Sequence, residues 1–127
     1  MIWDTNAIIF FLRGLLPEAS KSFLIKELNQ NKPHFSIISE IELLSWQHLP
    51  ETELKIISSF LTNFERVELT EKVKIETIKI RKSTGIKVPD AIIAASAISL
   101  RAPLLTHNLK DFKKVKGLEL INPMEIA

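Results

Sequence analysis

The three aspartates of this chain are the side chains whose type and position best suit catalysis. Asp4 follows the apolar start MIW, Asp90 follows Pro89 at the start of a long apolar stretch, and Asp111 follows PLLT in the string THNLKDF. A fourth acid, Glu42, lies in SIISEIELLSW, just past a short apolar segment. Glutamate occurs twelve times, mostly at positions typical of solvated helix faces. None of the three aspartates lies at such a position. We therefore take Asp4, Glu42, Asp90 and Asp111 as the candidate catalytic residues.

Four converging carboxylates would form an acid-only site with one clear chemical use. Because like charges repel, such a cluster persists only if cations are present. Cysteine is absent from the chain, which excludes disulfides and thiolate metal sites. Oxygen ligands alone suit Mg²⁺ or Mn²⁺, which use few protein carboxylates and keep waters or substrate phosphates. A cation of this kind activates water and neutralises a phosphodiester during its hydrolysis.

Helix capping is the competing interpretation for each acid taken singly. Ser39 and Glu42 have the spacing of a capping box, in which the Glu side chain bonds back to the cap amide. Asp4 and Asp90 stand at predicted helix starts, where a negative charge is stabilised by about 0.3–1 kcal/mol. For Asp111 the competing interpretation is a loop acid beside Lys110 and Lys113. For the three aspartates taken singly, each of these interpretations is favoured over a catalytic role. Capping does not explain why every Asp falls at one edge of the predicted sheet.

Short apolar strands alternate with helices along the chain. Strands are predicted over residues 1–3, 34–38, 67–69, 103–106 and 118–121. Helices are predicted over residues 5–12, 17–32, 39–48, 54–64, 71–82 and 89–100. Strands without polar alternation are typical of a parallel sheet covered by helices on both faces, so we predict an α/β fold and a single domain over residues 1–127. Right-handed crossovers then bring the carboxyl ends of the strands, and the four acids, to one edge.

The charge distribution is uneven although the net charge is only +2. Residues 79–87 (KIRKSTGIK) contain four basic groups and no acid, and residues 110–116 (KDFKKVK) contain four Lys and one Asp. A basic field over the whole protein, typical of nucleic-acid-binding domains, is excluded. Either stretch alone is explained by solvated helix ends and loops, but lysines flanking the acids would suit a nucleic-acid backbone.

Two apolar segments resemble targeting or membrane segments only superficially. Residues 7–16 follow Asp4, where a signal peptide would carry positive charge. Residues 91–100 are too short to span about 30 Å of hydrocarbon. We therefore expect a cytoplasmic protein with no membrane partner.

Four strings occur in a fixed order along essentially the whole chain: DTNAII, SIISEIELLS, KVPDAIIAASA and LLTHNLKDF. In this order and at these spacings the sequence resembles PIN-domain endoribonucleases, specifically the VapC-type toxins of prokaryotic toxin–antitoxin pairs. The resemblance implies a three-layer α/β/α sandwich with a short central parallel sheet. It also implies RNA cleavage that depends on Mg²⁺ or Mn²⁺, a homodimer, and a cognate antitoxin whose C-terminal segment blocks the active site.

The resemblance also assigns roles to residues. Asp4, Glu42, Asp90 and Asp111 match the acidic metal-site positions of the family. Glu42 is preferred to Glu40 because the family pattern is Thr/Ser-x-x-Glu-Leu.

Polar and basic neighbours match supporting positions of the family. Thr106 and Asn108 match the polar pair that supports the last Asp, and Asn6 matches the neighbour that orients the first one. Candidate phosphate contacts are Lys87, Lys110, Lys113 and His107, the last at a position that is often basic in the family.

Two other functions remain as alternatives. Aspartyl-phosphate phosphatases resemble Asp-x-Asp after the first strand, whereas this chain has Asp4 followed by Thr5 and Asn6. The other alternative is a non-catalytic RNA- or protein-binding module whose acids only cap helices. Trp3 and Trp46 flank the acids, where they would either stack on bases or pack in the core or a dimer interface.

Overall fold

The computed structural model describes residues 1–126, so the last residue of the predicted domain, Ala127, lies outside it. The strands are β1 (Ile2–Trp3), β2 (His34–Ser36), β3 (Glu65–Val67), β4 (Leu104–Leu105) and β5 (Leu120–Ile121). The helices are α1 (Thr5–Leu12), α2 (Glu18–Gln30), α3 (Ile37–Leu44), α4 (Glu51–Leu61), α5 (Glu71–Thr84), α6 (Val88–Leu100) and α7 (Leu109–Phe112).

The five strands form one parallel sheet in the order β3-β2-β1-β4-β5. β1 is central and pairs with β2 on one side and β4 on the other. The predicted α/β class is therefore confirmed, and so is the edge position of the last strand. All strands point the same way, so the segments that follow them leave from the same edge of the sheet.

Side-chain alternation along the strands divides the core into two layers. Ile2 and Leu104 belong to a cluster with α5 and α6, whereas Trp3 and Leu105 belong to a second cluster with α1, α2 and α4. Successive residues of a strand point to opposite faces of its sheet, so even these two-residue strands serve both layers. The predicted three-layer sandwich is confirmed.

Several element boundaries differ from the prediction. α3 begins at Ile37, because the Oγ of Ser36 accepts a hydrogen bond from the backbone N–H of Ile38 at 3.1 Å and caps the helix. The predicted start at Ser39 is therefore wrong. β3 also lies two residues earlier than predicted, at Glu65–Val67.

The apolar helix α6 is buried along most of its length, as its sequence predicts. Every residue over 91–97 is buried, and α5 packs beside it. Gly85 ends α5 with a φ of 72°, a left-handed conformation that glycine adopts without steric cost. Within residues 1–126 we find no helix with the length and apolar character needed to cross a bilayer.

The two tryptophans occupy different environments. Trp3 is fully buried and makes edge contacts with Phe11 and Phe64 at ring-centroid distances of 5.6 and 5.0 Å. The hypothesis that Trp3 stacks on bases is therefore wrong, and its core interpretation is confirmed. Trp46 is 37% exposed and lines a groove between α1 and α4.

Candidate active site

Asp4 lies directly after β1, at the N-terminus of α1, and only 6% of its surface is exposed. Its Oδ1 accepts a hydrogen bond from the backbone N–H of Thr5 at 2.8 Å. Its Oδ2 accepts one from the hydroxyl of Thr106, also at 2.8 Å. The carboxylate thus caps α1 and joins two neighbouring strand ends at once, so capping and a place in a cluster are compatible for this residue.

The surroundings of Asp4 raise its pKa to about 6. Burial is the largest cause, because it disfavours the charged form. The hydrogen bonds from Thr106 and Thr5 act in the opposite direction. The negative charges of Asp90 and Glu42 raise the pKa further, which shows that these two acids lie close enough to repel Asp4.

Glu42, on α3, is tied to α1 through a hydroxyl. The Oγ1 of Thr5 lies 2.6 Å from Glu42 Oε1 and 2.9 Å from the Oγ of the buried Ser39. Because a hydroxyl has one proton and a carboxylate only accepts, Thr5 donates to Glu42 and Ser39 supplies the proton of the second bond. Ser39 thus supports Glu42 through Thr5 from inside α3 and does not form a capping box with it.

Thr5 is a residue that sequence reasoning missed. The family resemblance implies that Asn6 orients Asp4, but Asn6 is exposed, and its side chain makes no hydrogen bond within residues 1–126. The only sequence signal for Thr5 is a hydroxyl residue directly after Asp4. At the first position of a helix, this side chain faces α3, while that of Asn6 faces solvent.

Asp90 lies in the first turn of α6, half-buried. Its pKa is raised, first by burial and then by the charges of Glu42 and Asp111, while Lys87 opposes the shift. Since Asp4 is affected by Asp90 and Glu42, and Asp90 by Glu42 and Asp111, all four acids belong to one electrostatic cluster.

Asp111 lies in the short helix α7, where the sequence predicts a loop. The Nδ2 of Asn108 donates to Asp111 Oδ2 at 3.3 Å, and the backbone N–H of Asn108 donates to Thr106 Oγ1 at 3.0 Å. Thr106 in turn donates to Asp4. A chain of hydrogen bonds therefore connects the first and last aspartates of the sequence across the end of β4.

Glu40 is occupied elsewhere. Its Oε1 accepts a hydrogen bond from the Arg66 guanidinium at 3.0 Å, and Arg66 also binds Glu68 at 2.8 Å. Glu40 is not among the charges that shift Asp4 or Asp90. Two glutamates in one short helix thus have different partners.

Of the candidate phosphate-binding side chains, only Lys87 has a direct electrostatic effect on the acidic cluster. Lys87 is exposed and close enough to Asp90 to lower its pKa. The Nδ1 of His107 lies 3.3 Å from Asn122 Oδ1, and its ring stands 5.9 Å from that of Phe10. Lys110 and Lys113 are exposed, and neither forms an ion pair in the described part of the chain.

Comparison with known proteins identifies the fold family. Residues 1–118 match the family model of the PIN domain. The chain belongs to the PIN domain family. This confirms the resemblance seen in its sequence, and the match covers all four acids of the cluster.

The PIN domain is similar to characterised proteins over nearly its full length. It is 26% identical over 125 residues to the tRNA(fMet)-specific endonuclease VapC of Salmonella typhimurium, covering 92% of each chain. It is also 26% identical over 123 residues to the protein of the same name in Shigella flexneri, covering 91% of each chain.

Solved structures of VapBC complexes share this architecture. VapBC2 from Rickettsia felis, bound to a DNA fragment from its promoter, matches with a TM-score of 0.82 at 26% identity, covering 96% of this chain and 98% of that one. VapBC-1 from nontypeable Haemophilus influenzae matches with a TM-score of 0.79 at 26% identity, covering 98% and 100%.

The donor set of this PIN domain fits a divalent cation. All four candidate ligands are carboxylates, and two of them have raised pKa values in part because the others repel them. Within residues 1–126, no three His, Asp or Glu side chains converge tightly enough to enclose an ion. Mg²⁺ does not need such a cage, since it is usually held by one or two carboxylates, with waters and substrate phosphates completing the shell.

Proposed function

We propose that this PIN domain, formed by residues 1–127, is a metal-dependent endoribonuclease that hydrolyses phosphodiester bonds of RNA. The observation that supports this most is the electrostatic coupling of four acids from distant parts of the sequence at one edge of the sheet. Acids that only capped their own helices would have no reason to be close enough to raise one another's pKa.

Asp4, Glu42, Asp90 and Asp111 would hold Mg²⁺ or Mn²⁺. When bound, such a cation supplies positive charge against the phosphodiester and lowers the pKa of the attacking water.

The other residues act on the acids or on the RNA. Thr106 keeps Asp4 in place, and Thr5 does the same for Glu42, each through one hydrogen bond. Lys87, exposed beside Asp90, would bind a phosphate of the RNA and reduce the repulsion between that strand and the acids.

We further propose that the protein is the toxin of a type II toxin–antitoxin pair in the cytoplasm, acts as a homodimer and is blocked by its cognate antitoxin. The support is its similarity to VapC endonucleases over more than nine-tenths of the chain, and to VapBC complexes at TM-scores near 0.8. Expression from a tight promoter should arrest growth, and Asp4→Asn should remove this effect. Growth arrest that persists with Asp4→Asn would contradict the toxin mechanism.

A matched pair of variants tests the nuclease assignment. Glu42→Gln keeps the acceptor for Thr5 but removes a charge from the cluster, whereas Glu40→Gln alters only the surface pair with Arg66. With Mg²⁺ or Mn²⁺, wild type and Glu40→Gln should cleave RNA, while Glu42→Gln should fall to the level seen with chelator. Circular dichroism checks that both variants are folded.

Three results would contradict the proposal. One is equal cleavage by the two variants, another is cleavage by wild type that persists in excess chelator, and the third is no cleavage by wild type with either cation. Asp90→Asn serves as a second loss-of-charge variant, because its position in the first turn of α6 does not depend on a side-chain cap hydrogen bond.

A further inference from the structure

Two basic stretches far apart in the sequence meet on the α5–α6 side of the molecule. Lys79 and Ser83 on α5 line an open cleft together with Lys114 and Lys116, which follow α7. We call these four residues the lysine cleft. Glu76 on α5 also lines it, and apolar side chains, including Ile98 near the end of α6, complete its walls. The chain thus brings parts of KIRKSTGIK and KDFKKVK to one surface.

The positive charge of the lysine cleft is incompletely neutralised. The Nζ of Lys79 lies 3.8 Å from Glu76 Oε1, and that of Lys114 lies 4.0 Å from Asp111 Oδ1, both beyond hydrogen-bonding distance. Lys116 has no ion pair in the described part of the chain. All three lysines are exposed, so their ammonium groups are available to an anionic ligand.

The lysine cleft adjoins the acidic cluster at Lys114, while its other walls lie farther along α5 and α6. Lys114 is near the acids, as its distance to Asp111 shows. Ile98 is eight residues beyond Asp90 on the same helix, which corresponds to about 12 Å along the axis. A small anion cannot reach from the acids to this end of the cleft, whereas an extended polymer can.

We propose that the lysine cleft binds the phosphodiester backbone of RNA next to the nucleotides being cleaved, an inference that rests on the proposed nuclease function. RNA offers phosphates both to the lysines and, through a cation, to the acids. An acidic protein segment would satisfy the lysines but has no phosphodiester for the adjoining acidic site. RNA has regularly spaced negative charges and an extended backbone, and these features match the lysines that are spread along the cleft.

The test uses the double variant Lys79→Gln/Lys116→Gln, which leaves Lys114 beside Asp111 unchanged. In an Asp4→Asn background that does not cut RNA, binding of a labelled single-stranded RNA is measured by fluorescence anisotropy from 50 to 500 mM salt. Loss of two phosphate contacts should weaken binding about tenfold or more near 0.1 M salt, and should make the slope of log K against log salt about 1.4 less steep.

Lys21→Gln/Lys26→Gln is the matched control, since both lysines are exposed on α2, on the opposite face of the sheet. It removes the same charge and should leave RNA binding within about twofold of the parent protein. In cleavage-competent protein the cleft variant should raise KM and leave kcat within about twofold.

The remaining outcomes overturn the lysine-cleft proposal. They are an unchanged affinity and salt slope in the cleft variant, an equal loss of affinity in the control variant, or no RNA binding by the parent protein. Because binding is measured without cleavage, failure of the nuclease assignment is seen separately, as absence of cleavage by wild type.

Discussion

The burial of Asp4 beside other acids leads to a quantitative prediction about how protein stability depends on pH. A rise in the pKa of a carboxyl group from its ordinary 3.8 to about 6 means that the folded state disfavours the ionised form by about 3 kcal/mol. Between pH 3.8 and about 6 the folded protein binds more protons at this group than the unfolded chain does. The contribution of Asp4 to stability is therefore fully present below pH 3.8 and is lost as the pH rises through about 6.

Asp4→Asn removes the charge and should stabilise the metal-free protein at alkaline pH. The amide oxygen can accept the Thr5 backbone N–H, but its NH₂ group then faces the Thr106 hydroxyl, which now donates to the acid. Loss of that hydrogen bond costs about 1 kcal/mol. The variant should then be about 2 kcal/mol more stable at pH 8 and about 1 kcal/mol less stable at pH 3.5. At pH 8 its Tm should rise by about 5–10 °C.

Urea denaturation of both proteins between pH 3.5 and 8, with EDTA throughout, measures this difference. Glu125→Gln, a change to an exposed acid, is the control and should show little dependence on pH. A difference in unfolding free energy between wild type and Asp4→Asn that is the same at both ends of the pH range would refute the reasoning. It would mean that Asp4 is not held in an environment that disfavours its charge.

Three further predictions follow from the same contacts. Saturation with Mn²⁺ to 100 times its Kd should stabilise wild type by about 2.7 kcal/mol and Asp4→Asn far less, as measured by thermal denaturation; equal shifts would place the cation elsewhere. Thr106→Val should lower the free energy of unfolding by about 1.5–3 kcal/mol at pH 8 and raise the pKa of Asp4 further, as measured by urea denaturation and by NMR titration. An unchanged pKa of Asp4 would contradict the hydrogen bond from Thr106. Trp3→Ala should lower the free energy of unfolding in urea by about 3–5 kcal/mol, whereas Trp46→Ala should lower it by less than about 1 kcal/mol. Similar losses in the two variants would contradict the difference in burial between the two tryptophans.

The general plan of the fold was predictable because it depends on local patterns. Short apolar strands that alternate with helices specify parallel pairing, and parallel pairing brings the ends of β1 and β4 to one edge whatever the details of packing. That Asp4 and Asp111 lie at the same edge of the sheet follows from this topology. The hydrogen bonds that connect them through Thr106 and Asn108 depend on how the segment after β4 folds into α7.

Contacts that depend on helix rotation and on exact helix boundaries were not predictable. Whether Thr5 or Asn6 faces α3 depends on how α1 is rotated against α3, although α1 spans the predicted residues 5–12. The preference for Glu42 over Glu40 rests on the family pattern alone, because the predicted helix does not say which of the two glutamates faces the acids. The helix that carries both glutamates begins at Ile37, two residues before the predicted start at Ser39. The ion pair of Arg66 with Glu40 spans 26 residues and has no local signal. The two basic stretches likewise come together only because the segment after α7 packs against α5, which the sequence does not predict.

The repulsion within the acidic cluster must be offset by the rest of the fold. Ile2 and Trp3, directly before Asp4, are both fully buried, one in each core layer. The backbone N–H of Asp4 donates to the carbonyl of Leu105 at 2.9 Å, so the next strand holds the acid as well. The position of Asp4 is thus set by the buried apolar side chains beside it and by backbone pairing rather than by a bound ion. Small metal domains fold only when their ion is bound. We expect this protein, in contrast, to fold without a cation and to need the cation only for the proposed cleavage of RNA.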